Sequence, residues 1–186
     1  YHIVSRARSN GFCDGFYKVR DLNESWFDAK SHSSFGYSKQ LREGHFFRDE
    51  WVLFQEGRWV SKKTDREGHF SYSAGTSPVS VQDVLSSMYY VRTQPLEVGK
   101  EIVLDVNTRQ NWPLVIRVVK KERVKVPAGR FDAWVVEPGL RHEGIFIQKG
   151  TRLQIWLADD KTRMPVMMKV DVFFGSITAK LTKIVQ

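Results

Sequence analysis

Leu153-Gln154-Ile155-Trp156-Leu157-Ala158, followed by Asp159-Asp160-Lys161-Thr162 and then Met164-Pro165-Val166-Met167-Met168-Lys169-Val170, is the stretch that decides the fold. Leu153, Ile155 and Leu157 alternate with their neighbours. After four residues of turn chemistry, Met164, Val166, Met168 and Val170 alternate again. A side-chain period of two belongs to a β-strand, and two such runs around a polar turn predict an antiparallel hairpin. Gly175 opens a further strand whose Ile177, Ala179, Leu181 and Val185 are expected to face inward.

The same period extends toward the amino terminus. Leu114 to Val126 reads as a long strand with Ile116, Val118, Val124 and Val126 on one face. Pro127-Ala128-Gly129-Arg130 is its turn, because Pro presets one backbone angle and Gly tolerates positive φ. Earlier strands are expected at Tyr1 to Arg8, Lys18 to Asp28, Phe35 to Leu41, Phe46 to Phe54, Arg58 to Lys63 and Glu101 to Val106, with turns at Arg42-Glu43-Gly44-His45 and Gln55-Glu56-Gly57. One segment breaks the pattern. Over Ser80 to Arg92, Val81, Val84, Leu85, Met88 and Val91 form a helical stripe, with Ser80 as N-cap and Asp83 in the first turn. The prediction is a mostly β chain, a rolled antiparallel sheet or partly open β-barrel with one amphipathic helix packed on or across it. Residues 1–186 are read as a single β-barrel-like domain.

The chain has 186 residues and is 41% hydrophobic and 27% charged, which suits a globular core. No apolar run approaches the ~20 residues of a transmembrane helix, so membrane association is expected to be peripheral at most. The formal net charge of +8 suits anionic partners, although acids are interspersed among the basic residues throughout. Cys13 is the only cysteine, which excludes an intramolecular disulfide and a thiolate metal cluster.

No catalytic constellation is readable. Asp159-Asp160 and Asp49-Glu50 are adjacent pairs, and neighbours on a strand point to opposite faces. His2, His32, His45, His69 and His142 show no His-x-His or His-x-x-x-His spacing, and no phosphate-binding glycine motif occurs. The reading is no enzyme, no metal and no cofactor. Asp21 and Asp49 lie on partly apolar strand faces and are expected to pair with Arg6, Arg20 or Arg48. Trp156 is expected opposite the core face, free to stack on a sugar. Leu85, Met88, Met164, Val166 and Met168 are the candidate lining of an adaptable apolar site, together with Met167. An apolar or lipid-like ligand or an envelope partner is therefore expected, with a carbohydrate or peptidoglycan-binding module as the alternative and an undetected hydrolase third; nucleic acid is not expected. The oligomeric state stays open.

Three blocks carry a specific resemblance: Val124 to Ala133, Ser80 to Gly99, and the carboxyl-terminal strands with Arg163-Met164-Pro165-Val166 and Phe174-Gly175-Ser176-Ile177-Thr178-Ala179. Together with Phe16-Tyr17-Lys18-Val19-Arg20-Asp21 they resemble the bacterial domain-of-unknown-function family numbered 3108. The resemblance implies an exported protein of the periplasm or outer cell envelope. It also implies a signal peptide and an opening β segment ahead of Tyr1, neither of which is in this chain. A weaker architectural likeness is to periplasmic lipoprotein carriers, curved sheets that hold acyl chains beneath helices.

Overall fold

The computed structural model describes residues 1–139, 152–172 and 175–185. Among them the chain forms β1 (His2–Arg8), α1 (Gly11–Asp14), β2 (Arg20–Phe27), β3 (Ser34–Glu43), β4 (Phe46–Gln55), β5 (Arg58–Thr64) and β6 (Phe70–Thr76). α2 (Val84–Thr93), β7 (Glu101–Asn107), β8 (Asn111–Val126), β9 (Gly129–Pro138), β10 (Leu153–Ala158), β11 (Pro165–Val172) and β12 (Gly175–Lys180) follow. The strands make two six-stranded sheets in sequential order, β1 to β6 and β7 to β12. Every ladder described between these strands is antiparallel, and neither sheet closes on itself. The mostly β class, with antiparallel sheets that do not close and one main helix, is as read from the sequence.

Turn chemistry explains the meander. Gln55 pairs with Arg58 across Glu56 and Gly57, whose φ values of 49° and 74° are both left-handed. That combination matches the right-handed twist of the flanking strands. Val126 pairs with Gly129 across Pro127 and Ala128, as the Pro-Ala-Gly sequence predicts.

The chain divides into two compact units, Tyr1–Tyr90 with Leu104–Pro113, and Val91–Val103 with Leu114–Gln186. The first is organised on β1 to β6. Its core is Tyr37, Val52, Phe54, Trp59 and Val81. Trp59 lies flat against β6 because Gly75 has no side chain: a Cβ there would meet the indole Nε1 at 2.7 Å. The second unit packs Ala133, Val135, Trp156, Ala158 and Val166, with Val124, Phe131, Met167 and Leu181 against them.

The helix differs from the expectation. It spans Val84–Thr93, not Ser80 to Arg92, and Asp83 is the N-cap. The Asp83 carboxylate accepts the backbone N–H of Leu85 and Ser86, and the Ser86 hydroxyl accepts the Asp83 N–H in return. This is a reciprocal capping box with Ser in the usual Glu position. Ser80 does not cap because the next two residues are already engaged in the sheet. The Val81 carbonyl accepts from Ser34, and Gln82 exchanges hydrogen bonds with Asp105 and Asn107. The buried side of α2 is also different. Ser86, Ser87 and Val91 are buried, Leu85 and Met88 are half-buried, and Val84 is exposed. The predicted stripe is thus buried at its two ends, Val81 and Val91, and gives way to two serines between them.

In β12 the inward stripe is corrected too. Ile177 and Val185 are exposed and only Leu181 packs into a core cluster. β12 is an edge strand with a neighbour on one side only. No helix among the described residues is long and apolar enough to cross a membrane.

Candidate functional site

Residues directly opposite in an antiparallel ladder share a face. The inner face of the first sheet can therefore be read in rows. One row is Trp59 between Phe54 and Gly75; the next is Ser25, Tyr37, Val52, Ser61 and Ser73. Phe54, Trp59, Tyr37 and Val52 of these rows belong to the apolar core. The following row is Asn23, Lys39, Glu50, Lys63 and Ser71. Two residues along the strands from the Tyr37–Val52 row, the same face carries a charged layer.

Glu50 is the centre of that layer and is 4% exposed. Tyr37 Oη donates to its Oε1 at 3.3 Å, Arg109 Nε lies 3.2 Å from Oε1, and Arg48 Nη1 lies 4.0 Å from Oε2. Arg109 reaches it from a turn in which its own φ is 75°, held by the Asn107 side chain accepting the Arg109 N–H. Lys39 and Lys63 flank Glu50 on the two neighbouring strands. Burial pushes the Lys39 ammonium below the usual lysine range, against the attraction of Glu50 and Asp83. Burial, then Glu50, push the Tyr37 phenol upward. Nearby, buried Asp83 accepts from the Ser25 and Ser34 hydroxyls, each at 2.6 Å, besides capping α2.

Farther along the same face, Asp21 and Glu43 form a carboxyl pair next to Tyr17. Burial first, and then Asp21, push the Glu43 carboxyl up to about 7 from an ordinary value of 4.5. Asp21 is fixed by accepting the Arg42 N–H at 2.8 Å, and Gly44 packs on the Tyr17 ring. The folded form binds the Glu43 proton more tightly than the unfolded chain. The stabilisation is therefore full below about pH 4.5 and lost as pH rises through about 7. Stability measured by denaturant across that window should fall with rising pH in the wild type, and Glu43→Gln should flatten the curve. A wild-type curve already flat there would mean that the pair does not share a proton.

The outer face of the same sheet is aromatic and basic. Trp51, Leu53, Val60, Phe70 and Tyr72 are 42%, 36%, 49%, 60% and 68% exposed. Leu53 stands opposite Val60, and Trp51 opposite Lys62, which is in turn opposite Tyr72. Lys62 Nζ is also 4.8 Å from the Phe70 ring centroid. Along β5 this face reads Arg58, Val60, Lys62, so cations alternate with apolar groups.

The residues singled out from the sequence fall differently. Leu85 and Met88 belong to the first unit, and Met164, Val166, Met168 and Trp156 to the second. Val166 and Trp156 meet in the buried cluster of the second unit, while Met164 and Met168 are half-buried. Trp156 is 4% exposed, so the expectation of a free stacking surface is corrected. Its indole donates to Glu122 at 2.7 Å. The exposed indole is that of Trp51.

None of the expected pairings is found among the described residues: Asp49 pairs with Arg42 at 2.7 Å, Arg20 pairs with Asp14 at 2.5 Å, and Arg48 lies against Glu50. The buried carboxylate is Glu50, not Asp49. Arg48 and Glu50 share the parity of core residues Val52 and Phe54, and that was the available signal. Asp159 is held by Lys121 and Trp134, while Asp160 binds the Thr162 and Arg163 backbone in its turn. Asp65, Glu67 and His69 bring ligand atoms within 4.8 Å of one another in the β5–β6 turn, a grouping that His-to-His spacing does not search. The Cys13 side chain and His142 lie outside the described residues.

Comparison with known proteins gives the following. The model of a family described as "Protein of unknown function (DUF3108)" matches residues 1–182. No curated protein matches the chain. A solved structure described as a beta-barrel-like protein of domain of unknown function DUF1849, from Brucella abortus, is similar with a TM-score of 0.54 and 12% identity. The likeness covers 90% of this chain and 72% of that one. At that identity it is a likeness of fold.

Proposed function

The chain belongs to the DUF3108 family, whose function is unknown, and we propose that it is a non-catalytic binding protein of the bacterial cell envelope whose outer sheet face takes an anionic, lipid-like ligand. One observation carries this reading. Trp51, Leu53, Val60, Phe70 and Tyr72 form a continuous exposed patch on β4 to β6, interleaved with Arg58 and Lys62. Contiguous apolar surface on a soluble domain marks an interaction site, and aromatic rings with one polar edge suit a membrane–water boundary. Cations placed within the patch meet anionic headgroups while the rings meet acyl chains. The buried carboxylates are held in fixed pairs and caps, which supports binding over catalysis. The envelope location rests on the family resemblance.

A glycan is the second reading, because Trp51 and Tyr72 stand in one row at either side of Lys62, a spacing on which sugar rings stack. Co-sedimentation with vesicles separates the two. The protein should bind mixed phosphatidylcholine–phosphatidylglycerol vesicles and not pure phosphatidylcholine. Trp51→Ala with Tyr72→Ala should weaken that binding by about tenfold or more. Both side chains are exposed, so stability should change by only about 0.5 kcal/mol. Equal vesicle binding by wild type and the double variant would sink the lipid reading. Retention on soluble peptidoglycan fragments, lost in the same variant, would establish the glycan.

A further inference from the structure

The charged layer on the opposite, inner face calls for a separate explanation. Lys39, Arg48, Lys63 and Arg109 surround Glu50, and Asp83 also acts on Lys39. In these rows four cations stand against Glu50 and the nearby Asp83, with the Asp21–Glu43 pair farther along the face; Lys39 and Arg48 also lie 4.8 and 5.3 Å from the Tyr37 and Phe46 rings. Asp83 is already occupied by two serine hydroxyls and two backbone N–H groups. Glu50 is shared by two guanidinium groups and a phenol. Among the described residues neither Lys39 nor Lys63 makes an ion pair, and Arg48 Nε is buried without a hydrogen-bond partner.

Partly buried positive charge in excess is costly unless an anion offsets it. A fold could avoid that cost with Ser or Thr at these positions, as it does at Ser61 and Ser73 in the next row. The layer is also reachable from solvent. The Arg48 and Arg109 side chains are 28% and 39% exposed, whereas Glu50 beneath them is nearly closed off at 2%. The Arg109 backbone is held in a left-handed conformation by Asn107, and its guanidinium lies 3.2 Å from Glu50. Two guanidinium groups at 3.2 and 4.0 Å from one carboxylate, with a lysine opposite it on each neighbouring strand, offer several donors to the acceptor oxygens of a doubly charged oxyanion.

We propose that this layer is an oxyanion site that holds a phosphate group between Lys39, Arg48, Lys63 and Arg109, with Glu50 as the buried anchor that orients the arginines. The site is distinct from the outer patch and stands whether or not that patch binds lipid.

The probe is inorganic phosphate at constant ionic strength, read by calorimetric titration and by the melting temperature. The wild type should bind it saturably and melt several degrees higher when saturated. Lys39→Gln and Lys63→Gln leave both Glu50 ion pairs in place, so they should fold. Each should weaken phosphate binding by about tenfold or more, since each removes one charge-assisted contact. In the absence of phosphate, the same two variants should melt at or above the wild-type temperature, because they relieve repulsion. Short-chain phosphatidic acid in place of inorganic phosphate identifies the source. Tighter binding than phosphate, lost in the same variants, assigns a lipid headgroup; binding no tighter assigns free phosphate. The proposal is overturned if phosphate gives no saturable heat and no melting shift, or if Lys39→Gln and Lys63→Gln respond to phosphate as the wild type does.

Discussion

Asp83→Ala is expected to destabilise the protein by about 3–5 kcal/mol, the largest loss anticipated for a single polar side chain here. Oδ1 accepts the Leu85 and Ser86 N–H groups at 2.8 and 3.1 Å, so alanine removes the cap of α2. A lost cap costs about 1 kcal/mol. Oδ2 accepts from Ser25 and Ser34, both nearly inaccessible; losing the Ser25 acceptor costs about 1–3 kcal/mol, and Ser34, which can still donate to the Gly36 carbonyl at 3.3 Å, about 1 kcal/mol. Asp83→Asn keeps an oxygen for the cap and offers an amide toward the hydroxyls, which have free lone pairs. It should cost about 1 kcal/mol. Urea denaturation of both variants checks this. A loss near 1 kcal/mol for the alanine variant would mean that Asp83 acts as a helix cap alone, with water replacing it at the two serines.

Trp156→Ala should cost a comparable ~3–5 kcal/mol, through the cavity it leaves among Ala133, Val135, Ala158 and Val166. Those neighbours are small or β-branched and cannot swing in to fill an indole-sized space. Trp156→Phe retains most of the volume but deprives Glu122 of the indole donor. Lys120 first, and the indole second, hold Glu122 below the usual carboxylate range, so the lysine keeps it ionised in this variant. The phenylalanine substitution should therefore cost only ~1 kcal/mol. A Trp156→Ala protein with wild-type stability and impaired ligand binding would return this residue to the role of a stacking platform.

Both variants fall where strand periodicity stops being informative. The alternation of Leu153, Ile155 and Leu157 identified β10, and its pairing of Leu153 with Val170 and Ile155 with Met168 follows from apolar parity. Alternation says that two faces differ. It does not say that one of them is wet. Ile155 and Leu157 are buried on one face of β10, while Trp156 and Ala158 are buried on the other. A central strand covered on both sides leaves no free surface for Trp156. The aromatic patch around Trp51 was hidden for the converse reason. Each of its strands contributes one or two exposed apolar residues, which is ordinary singly and notable only when register sets them side by side.

What the sequence determined by itself was local: an antiparallel meander, its turns at Glu56-Gly57 and Pro127-Ala128, a helix in the eighties and membership in a recognisable family. Those follow from side-chain period and backbone preference, which act over a few residues. The charged layer, by contrast, joins four separate segments: strand register sets Lys39, Glu50 and Lys63 side by side, and an ion pair from the β7–β8 turn brings Arg109 to Glu50. The start of α2 was likewise decided in three dimensions. Ser80 and Asp83 are both good caps, but β pairing at Val81 and Gln82 occupies the backbone that a helix from Ser80 would need. A hydrogen-bonding group can serve only one partner at a time, and which partner is present depends on chain brought back from far away in sequence.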